Sequence, residues 1–408
     1  MAYLGATRAP RNIIFGEGQR RALGAVARSL GSRIFVVTDA RMSGDRNFTD
    51  LMDNLVQNGL HVTIFDEAQP ELPIICIDQC VAAAKTAAPD MIFGIGGGSC
   101  MDLAKATALM LAHGGDIRDY FGEFKVPGPT IPLILMPTTA GTSSEVTPIA
   151  VLSHPDKAVK VGISSPFILA HTAICDPELT YGTPASLTAI AGADALTHAI
   201  EAFTAVRRPA DPELTNKRVF IGKNALSDHH AIEAIRRISR NLPRLCGQDD
   251  DPEARSEVMF GTLLAGLAFG TAGTAAAHAI QYPIGALTHT AHGLGVALLM
   301  PYVMDFNRSH RIAEMAQIAV AMGEADQGRS PDDLAFAAIG RVASLMSAIG
   351  IPRTLADIGI VAEQLPSIAE QSIAIERLVL NNPRPIDLPG MNEIVNNAFN
   401  GKYSNASV

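Results

Sequence analysis

Short apolar runs recur through the first part of the chain. IFVVTD (34–39), HVTIF (61–65), MIFGIG (91–96) and LILMPT (133–138) each have the length of a buried strand. Amphipathic stretches with helical spacing lie between them, at 19–30, 48–58, 75–87 and 99–112. This βαβα order predicts an α/β domain whose mostly parallel sheet is covered on both faces. The segment DPELTYGTP (176–184) ends the regime. After it, Ala-, Leu- and Ile-rich helical patterns run almost to the last residue. The expected division is therefore an α/β domain over 1–183 and an all-helical domain over 184–408.

One stretch tests the reading. Residues 258–280 contain no Asp, Glu, Lys or Arg and are long enough to span a bilayer. They also carry four glycines and His278, with no Trp belt and no flanking basic cluster. A helix buried in a large core is the expectation, with no membrane partner. The opening MAYLGATRAPRN has no apolar h-region, so no signal peptide is expected. The tail NGKYSNASV (400–408) is polar and reads as frayed.

Composition narrows the function classes. At 408 residues and 48% hydrophobic, the chain has ample material for two cores. A net charge of −9 and the absence of Trp argue against a nucleic-acid partner. Five scattered cysteines, with no CxxC, suit reduced thiols in a cytoplasmic protein.

Two loops and one strand end have the chemistry of a nucleotide site. In MIFGIGGGSCMDLAK (91–105), Gly96, Gly97 and Gly98 stand between a strand and a helix, where backbone N–H groups can approach a pyrophosphate. Ser99 is placed to cap that helix. The loop is not a GxGxxG fingerprint. Asp39 ends a strand, where a carboxylate either binds ribose hydroxyls or caps the next helix. MPTTAGTSSEVTP (136–148) presents the hydroxyls of Thr138, Thr139, Thr142, Ser143, Ser144 and Thr147. These either contact a cofactor or line a solvated loop.

The helical half carries the metal-type residues. Asp194 and His198, four apart in DALTHAIEAF, share one helix face. His278 and His292 follow in AHAIQYPIGALTHTAHG, with His289 as a competitor for the last place. One carboxylate and three imidazoles suit a borderline divalent cation.

Taken together, GGGS (96–99), TTAGTSSE (138–145), DPELT (176–180), GADALTHAIE (192–201) and the 278–292 segment resemble the iron-containing (group III) alcohol dehydrogenases. The resemblance covers residues 10–400 in the same order. It implies the dehydroquinate synthase-like fold, an N-terminal α/β dinucleotide-binding domain and an all-α C-terminal domain, with the active site in the cleft between them. It implies Asp194, His198, His278 and His292 as metal ligands, the fourteen-residue interval of the last pair favouring His292 over His289. Fe²⁺ is the expected metal, with Zn²⁺ as the alternative. For NAD it implies Gly97, Gly98, Ser99, Asp102, Thr138, Thr139, Thr142, Thr147, Lys160 and Leu179, with Asp39 associated with NAD preference. The implied reaction is reversible hydride transfer between a primary alcohol, or a hydroxy acid, and NAD, by a homodimer or larger homo-oligomer acting on a small alcohol or aldehyde. His292 is then catalytic through the metal.

The chain departs from the family's pattern twice. Tyr282 stands where members carry a further His, four residues after His278. It either donates a hydrogen bond to the substrate oxygen, as a catalytic residue, or fills space. The segment RRPADPELTNKRVFIGKNALSD (207–228) is longer than its family equivalent and basic, which suits a lid, an oligomer contact or a solvated loop. Alternatives on the same fold are hydroxyacid–oxoacid transhydrogenases and maleylacetate reductases. A non-enzymatic metal-binding protein is the reading outside catalysis.

Overall fold

The computed structural model describes residues 4–153, 160–247 and 251–403. Residues 404–408 of the tail lie outside it. The chain forms two compact units.

The α/β unit runs from Arg8 to Tyr181 and takes in residues 216–219. Its strands are β1 Asn12–Phe15, β2 Arg33–Val37, β3 His61–Phe65, β4 Met91–Gly96, β5 Gly122–Glu123, β6 Leu133–Pro137, β7 Ile149–Ser153, β8 Lys160–Ser164 and β9 Thr172–Cys175. Six of them form a parallel sheet in the order β1-β9-β6-β4-β2-β3. Alternation of side chains splits each strand between two cores. Phe35, Val37, Ile92, Leu133 and Leu135 face one, with the helices Ile74–Ala87 and Gly98–His113. Ile34, Val36, Phe93, Ile95, Ile134 and Met136 face the other, with the helices Leu23–Leu30 and Arg46–Gln57. That is why β4 and β6 read as unbroken apolar runs: every residue in them is buried.

Four of the six strands are those expected from the pattern. β1 and β9 are additions, each only four residues long. A second sheet, β5-β8-β7, was also not foreseen. β7 and β8 pair antiparallel, and half-exposed strands of five residues beside a polar loop give a weak signal.

The helical unit holds residues 4–7, 182–215 and 220–403 of the described chain. The first residues therefore depart from the expected division at 183. Ala225 N–H donates to Leu4 O at 3.0 Å and Ala6 N–H to Asn224 Oδ1 at 3.1 Å. The central helix Ala185–Thr204 is buried almost throughout its last thirteen residues, Gly192 to Thr204, and packs on Ala225–Gly247 and Pro252–Ala272. The charge-free stretch is a helix end, a break and a new helix, Ala276–Thr288, bent by 100°. Among the described residues, no single helix is long and apolar enough to cross a membrane.

The 207–228 segment is not one solvated loop. Val219, Phe220, Ile221, Lys223 and Asn224 are buried, and Lys223 pairs with Asp228 while its ammonium lies 4.9 Å from the Phe203 ring centroid. All five cysteines are free thiols.

Candidate metal centre and nucleotide loop

Residues 194, 198 and 201 recur at helical spacing on the helix Ala185–Thr204, so Asp194, His198 and Glu201 share one buried face. His278 lies in the first turn of Ala276–Thr288, and His292 is the first residue of the helix His292–Asn307. Gly293 allows that second helix to come close: a Cβ there would fall 2.5 Å from Ile190 O and 3.0 Å from Asp194 Cβ. Asp194, His278 and His292 consequently converge, each offering one ligand atom, all within 4.8 Å of one another.

His198 joins from the side. Its Nε2 lies 3.8 Å from Asp194 Oδ1, and its ring stacks on Phe269 at 4.1 Å and on His278 at 4.7 Å. His289, the competitor, is exposed and caps Ala276–Thr288 in the left-handed region, outside the cluster.

The donor atoms fit a cation. Asp194 Oδ1 and His278 Nε2 are buried and, among the described residues, have no hydrogen-bond partner, a state that costs free energy unless a ligand satisfies them. Burial pushes the Asp194 carboxyl up to about 7, with His278 opposing the shift and Glu201 adding to it. A divalent cation would favour the ionised form.

Glu201 is the residue that motif reading did not assign. It accepts Ala275 N–H at 2.7 Å and Ala277 N–H at 2.8 Å, capping a helix start that has no cap of its own. It also accepts His278 Nδ1–H at 2.6 Å. That bond selects the tautomer whose Nε2 lone pair faces the cluster. The signal available in sequence was its place seven residues after Asp194, on the same helix face.

Tyr282, one turn beyond His278, has its ring 6.3 Å from that of His292. Burial raises its phenol above the usual range, while Arg377 opposes this through charge and a side-chain hydrogen bond.

In the α/β unit, β4 ends at Gly96, whose φ of 141° lies outside the range that L side chains favour. Gly97 is the N-cap of Gly98–His113 and no side chain caps it, so the helix N-terminus keeps its N–H groups for an anion. Ser99 sits inside the helix and does not cap it, which corrects the expected role. A Cβ at Gly98 would lie 2.8 Å from Thr142 Cγ2, whereas one at Gly97 would meet only Thr139 Oγ1 at 3.9 Å. Thr138 Oγ1 is buried and has no hydrogen-bond partner among the described residues. A pyrophosphate fits this bare helix start.

Asp102 and Lys105, both on Gly98–His113, bind the segment 144–151. Asp102 accepts the Ser144 hydroxyl at 2.6 Å and Val151 N–H at 2.9 Å. Lys105, also buried, donates to Thr147 O at 3.0 Å and Ile149 O at 2.7 Å. Thr147 and Leu179 are buried, and Lys160 pairs with Glu71. Asp39 caps the helix that follows it, its Oδ1 accepting Met42 N–H at 2.8 Å, and Cys100 Sγ lies 3.4 Å from its Oδ2. Glu145 is buried with its Oε2 unpartnered among the described residues, and burial pushes its carboxyl up to about 7.

Known proteins resemble the chain along its length. The model of the iron-containing alcohol dehydrogenase family matches residues 10–177, and that of the family's C-terminal part matches residues 188–399. Long-chain-alcohol dehydrogenase 1 of Geobacillus thermodenitrificans is 35% identical over 390 residues, covering 95% of this chain and 94% of that one. The NAD-dependent methanol dehydrogenase of Bacillus methanolicus is 32% identical, covering 96% and 98%. The crystal structure of a 1,3-propanediol oxidoreductase superposes with a TM-score of 0.90 at 32% identity, covering 97% of this chain and all of that one.

Proposed function

The chain belongs to the iron-containing alcohol dehydrogenase family, and from that premise we propose that it catalyses reversible hydride transfer between a primary alcohol and NAD. The observation that carries this reading is the pair of unsatisfied donors, Asp194 Oδ1 and His278 Nε2, aimed with His292 at one point. A divalent cation, Fe²⁺ in first place, supplies Lewis acidity toward the alcohol oxygen, and NAD supplies the hydride acceptor.

The chain's own residues do the rest. Asp194, His198, His278 and His292 would hold the cation, and Glu201 keeps the His278 ring in its binding tautomer. The uncapped start of Gly98–His113, with Gly97, Gly98 and the Thr138–Thr142 hydroxyls, would hold the NAD pyrophosphate. Tyr282 stays a protonated phenol at neutral pH and can donate to a substrate oxygen. Its place beside His292 supports that role over space filling. The five free thiols support a reduced, cytoplasmic setting.

The experiment is an NAD⁺ reduction screen over primary alcohols, with protein loaded separately with Fe²⁺ and Zn²⁺. We expect metal-dependent NADH formation that His278→Ala and His292→Ala abolish, together with loss of bound metal. Undiminished turnover in a metal-free His278→Ala/His292→Ala variant would sink the reading.

A further inference from the structure

The acid at the end of β2 is held by a side chain from a different element. The backbone there is anchored to both neighbouring strands. Thr38 N–H donates to Phe65 O of β3 at 2.9 Å, and the Thr38 hydroxyl donates to Ile95 O of β4 at 2.9 Å. Asp39 keeps only the rotations of its own side chain, and each of its carboxylate oxygens meets a donor. Oδ1 accepts Met42 N–H at 2.8 Å. Oδ2 accepts the Cys100 thiol at 3.4 Å, from the first turn of Gly98–His113.

The contact depends on the glycine turn. Cys100 is buried, and its sulfur lies against the bare Cα of Gly96. A Cβ on that glycine would stand 2.7 Å from Cys100 Sγ and 3.9 Å from Asp39 Oδ2. Burial first, and the charge of Asp39 second, push the thiol far above its ordinary range, so it stays protonated and acts as the donor. Asp39 is only partly buried, and each carboxylate oxygen has a second lone pair, so the acid keeps acceptor capacity for a ligand. Its place suits one. The carboxyl end of a parallel strand, beside a glycine turn, is where an α/β sheet offers an acid to the ribose of a dinucleotide. A cation stands close by. Arg41, exposed and two residues on, acts on the Cys100 thiol through its charge. A guanidinium is the group that accepts a 2′-phosphate. The direction in which Asp39 points therefore decides between a ribose hydroxyl and a phosphate ester.

We propose that Cys100 is a positioning residue for cofactor choice: its thiol holds the Asp39 carboxylate at the glycine turn, where it accepts from the 2′-hydroxyl of NAD and repels the 2′-phosphate of NADP. The proposal deepens the NAD-linked reading and rests on it for the dinucleotide itself. Without the thiol, Met42 N–H is the remaining hold on the carboxylate, and Oδ2 is free to turn away from the ribose. A 2′-phosphate then meets less repulsion, with Arg41 at hand to pair with it.

The test uses the full-length, metal-loaded protein with Cys100→Ala, Cys100→Val and Cys100→Ser. Fluorescence titration gives dissociation constants for NADH and NADPH with no alcohol present. Thermal unfolding and metal content check that each variant is folded. In Cys100→Ala the preference for NADH over NADPH should shrink about three- to tenfold, the weight of one hydrogen bond from a weak donor. Cys100→Val fills the space of the thiol without a donor, so it should shrink the preference as well and stands in if the Ala variant is unstable. The Ser hydroxyl can donate to the same carboxylate, so Cys100→Ser should retain most of the preference. A thiol that only packs would, on removal, weaken both nucleotides alike and leave their ratio unchanged. That result overturns the proposal while NAD binding stands. A preference lost equally in the Ser, Ala and Val variants overturns it too. Wild-type protein that binds neither nucleotide removes the NAD reading and the proposal together.

Discussion

Glu201 accepts the Nδ1–H of His278 at 2.6 Å while capping the helix that carries that histidine. One carboxylate therefore sets both the orientation and the tautomer of a metal donor. Glu201→Gln should weaken metal binding about 10- to 100-fold, the usual effect of removing an outer partner of a ligating histidine. Competition with a chelator measures it. An unchanged affinity would mean that packing alone orients the ring.

Metal uptake should be coupled to a proton. Burial pushes the Asp194 carboxyl up to about 7. Below that pH a cation must displace the proton, so affinity should fall about tenfold per pH unit; above it, this dependence should vanish. Calorimetry in buffers of different ionisation enthalpy reads the proton release directly. Asp194→Asn should bind metal poorly at every pH.

Gly293 sets how closely His292 approaches Asp194. In Gly293→Ala the new methyl would stand 2.5 Å from Ile190 O, a backbone atom that cannot rotate away. The helix start must shift, carrying His292 with it. We expect at least about tenfold weaker metal binding and a destabilisation of about 1–3 kcal/mol, seen in metal titration and thermal unfolding.

Gly98→Ala addresses the other half of the reaction. Its methyl would meet Thr142 Cγ2 at 2.8 Å, at the helix start that would hold the pyrophosphate. KM for NAD should rise about tenfold while metal content stays at the wild-type level. A fall in metal content with unchanged KM would contradict the assignment.

Glu145 gives a pH signature in the α/β unit. Its folded carboxyl, pushed by burial to about 7, stands above the ordinary 4.5. The native state thus keeps a proton that the unfolded chain has lost. Stability from this group is undiminished below about 4.5, falls as pH rises through 4.5–7, and stays low above. Glu145→Gln should therefore gain on the wild type as pH rises, by on the order of 3 kcal/mol between pH 4.5 and 8. Denaturation curves at both pH values check the sign.

The periodicity of the chain was enough for the sheet and its covering helices, because alternation of apolar residues and unbroken buried runs are properties of neighbours in sequence. The same holds for Asp194 and His198, whose shared face follows from the pitch of one helix. The strands β1, β5 and β9 were not legible, since two to four residues carry too little pattern to separate from loop, and β7 and β8 were hidden by their half-exposed, mixed burial. The placement of residues 4–7 with the helical unit was equally hidden, being decided by hydrogen bonds to residues more than two hundred positions away. His292 reached the metal cluster only because Gly293 lets two helices touch. Glu201 acquired its role only when the start of another helix came to it. For Tyr282 and the 207–228 segment, sequence showed that they were unusual and nothing more. Residue types and local spacing determined which chemistry the chain holds, through forces acting within one helix or strand. Which of those groups meet, and what stands beside Asp39, was decided by packing between elements distant in sequence, where shape and burial rather than spacing select the neighbours.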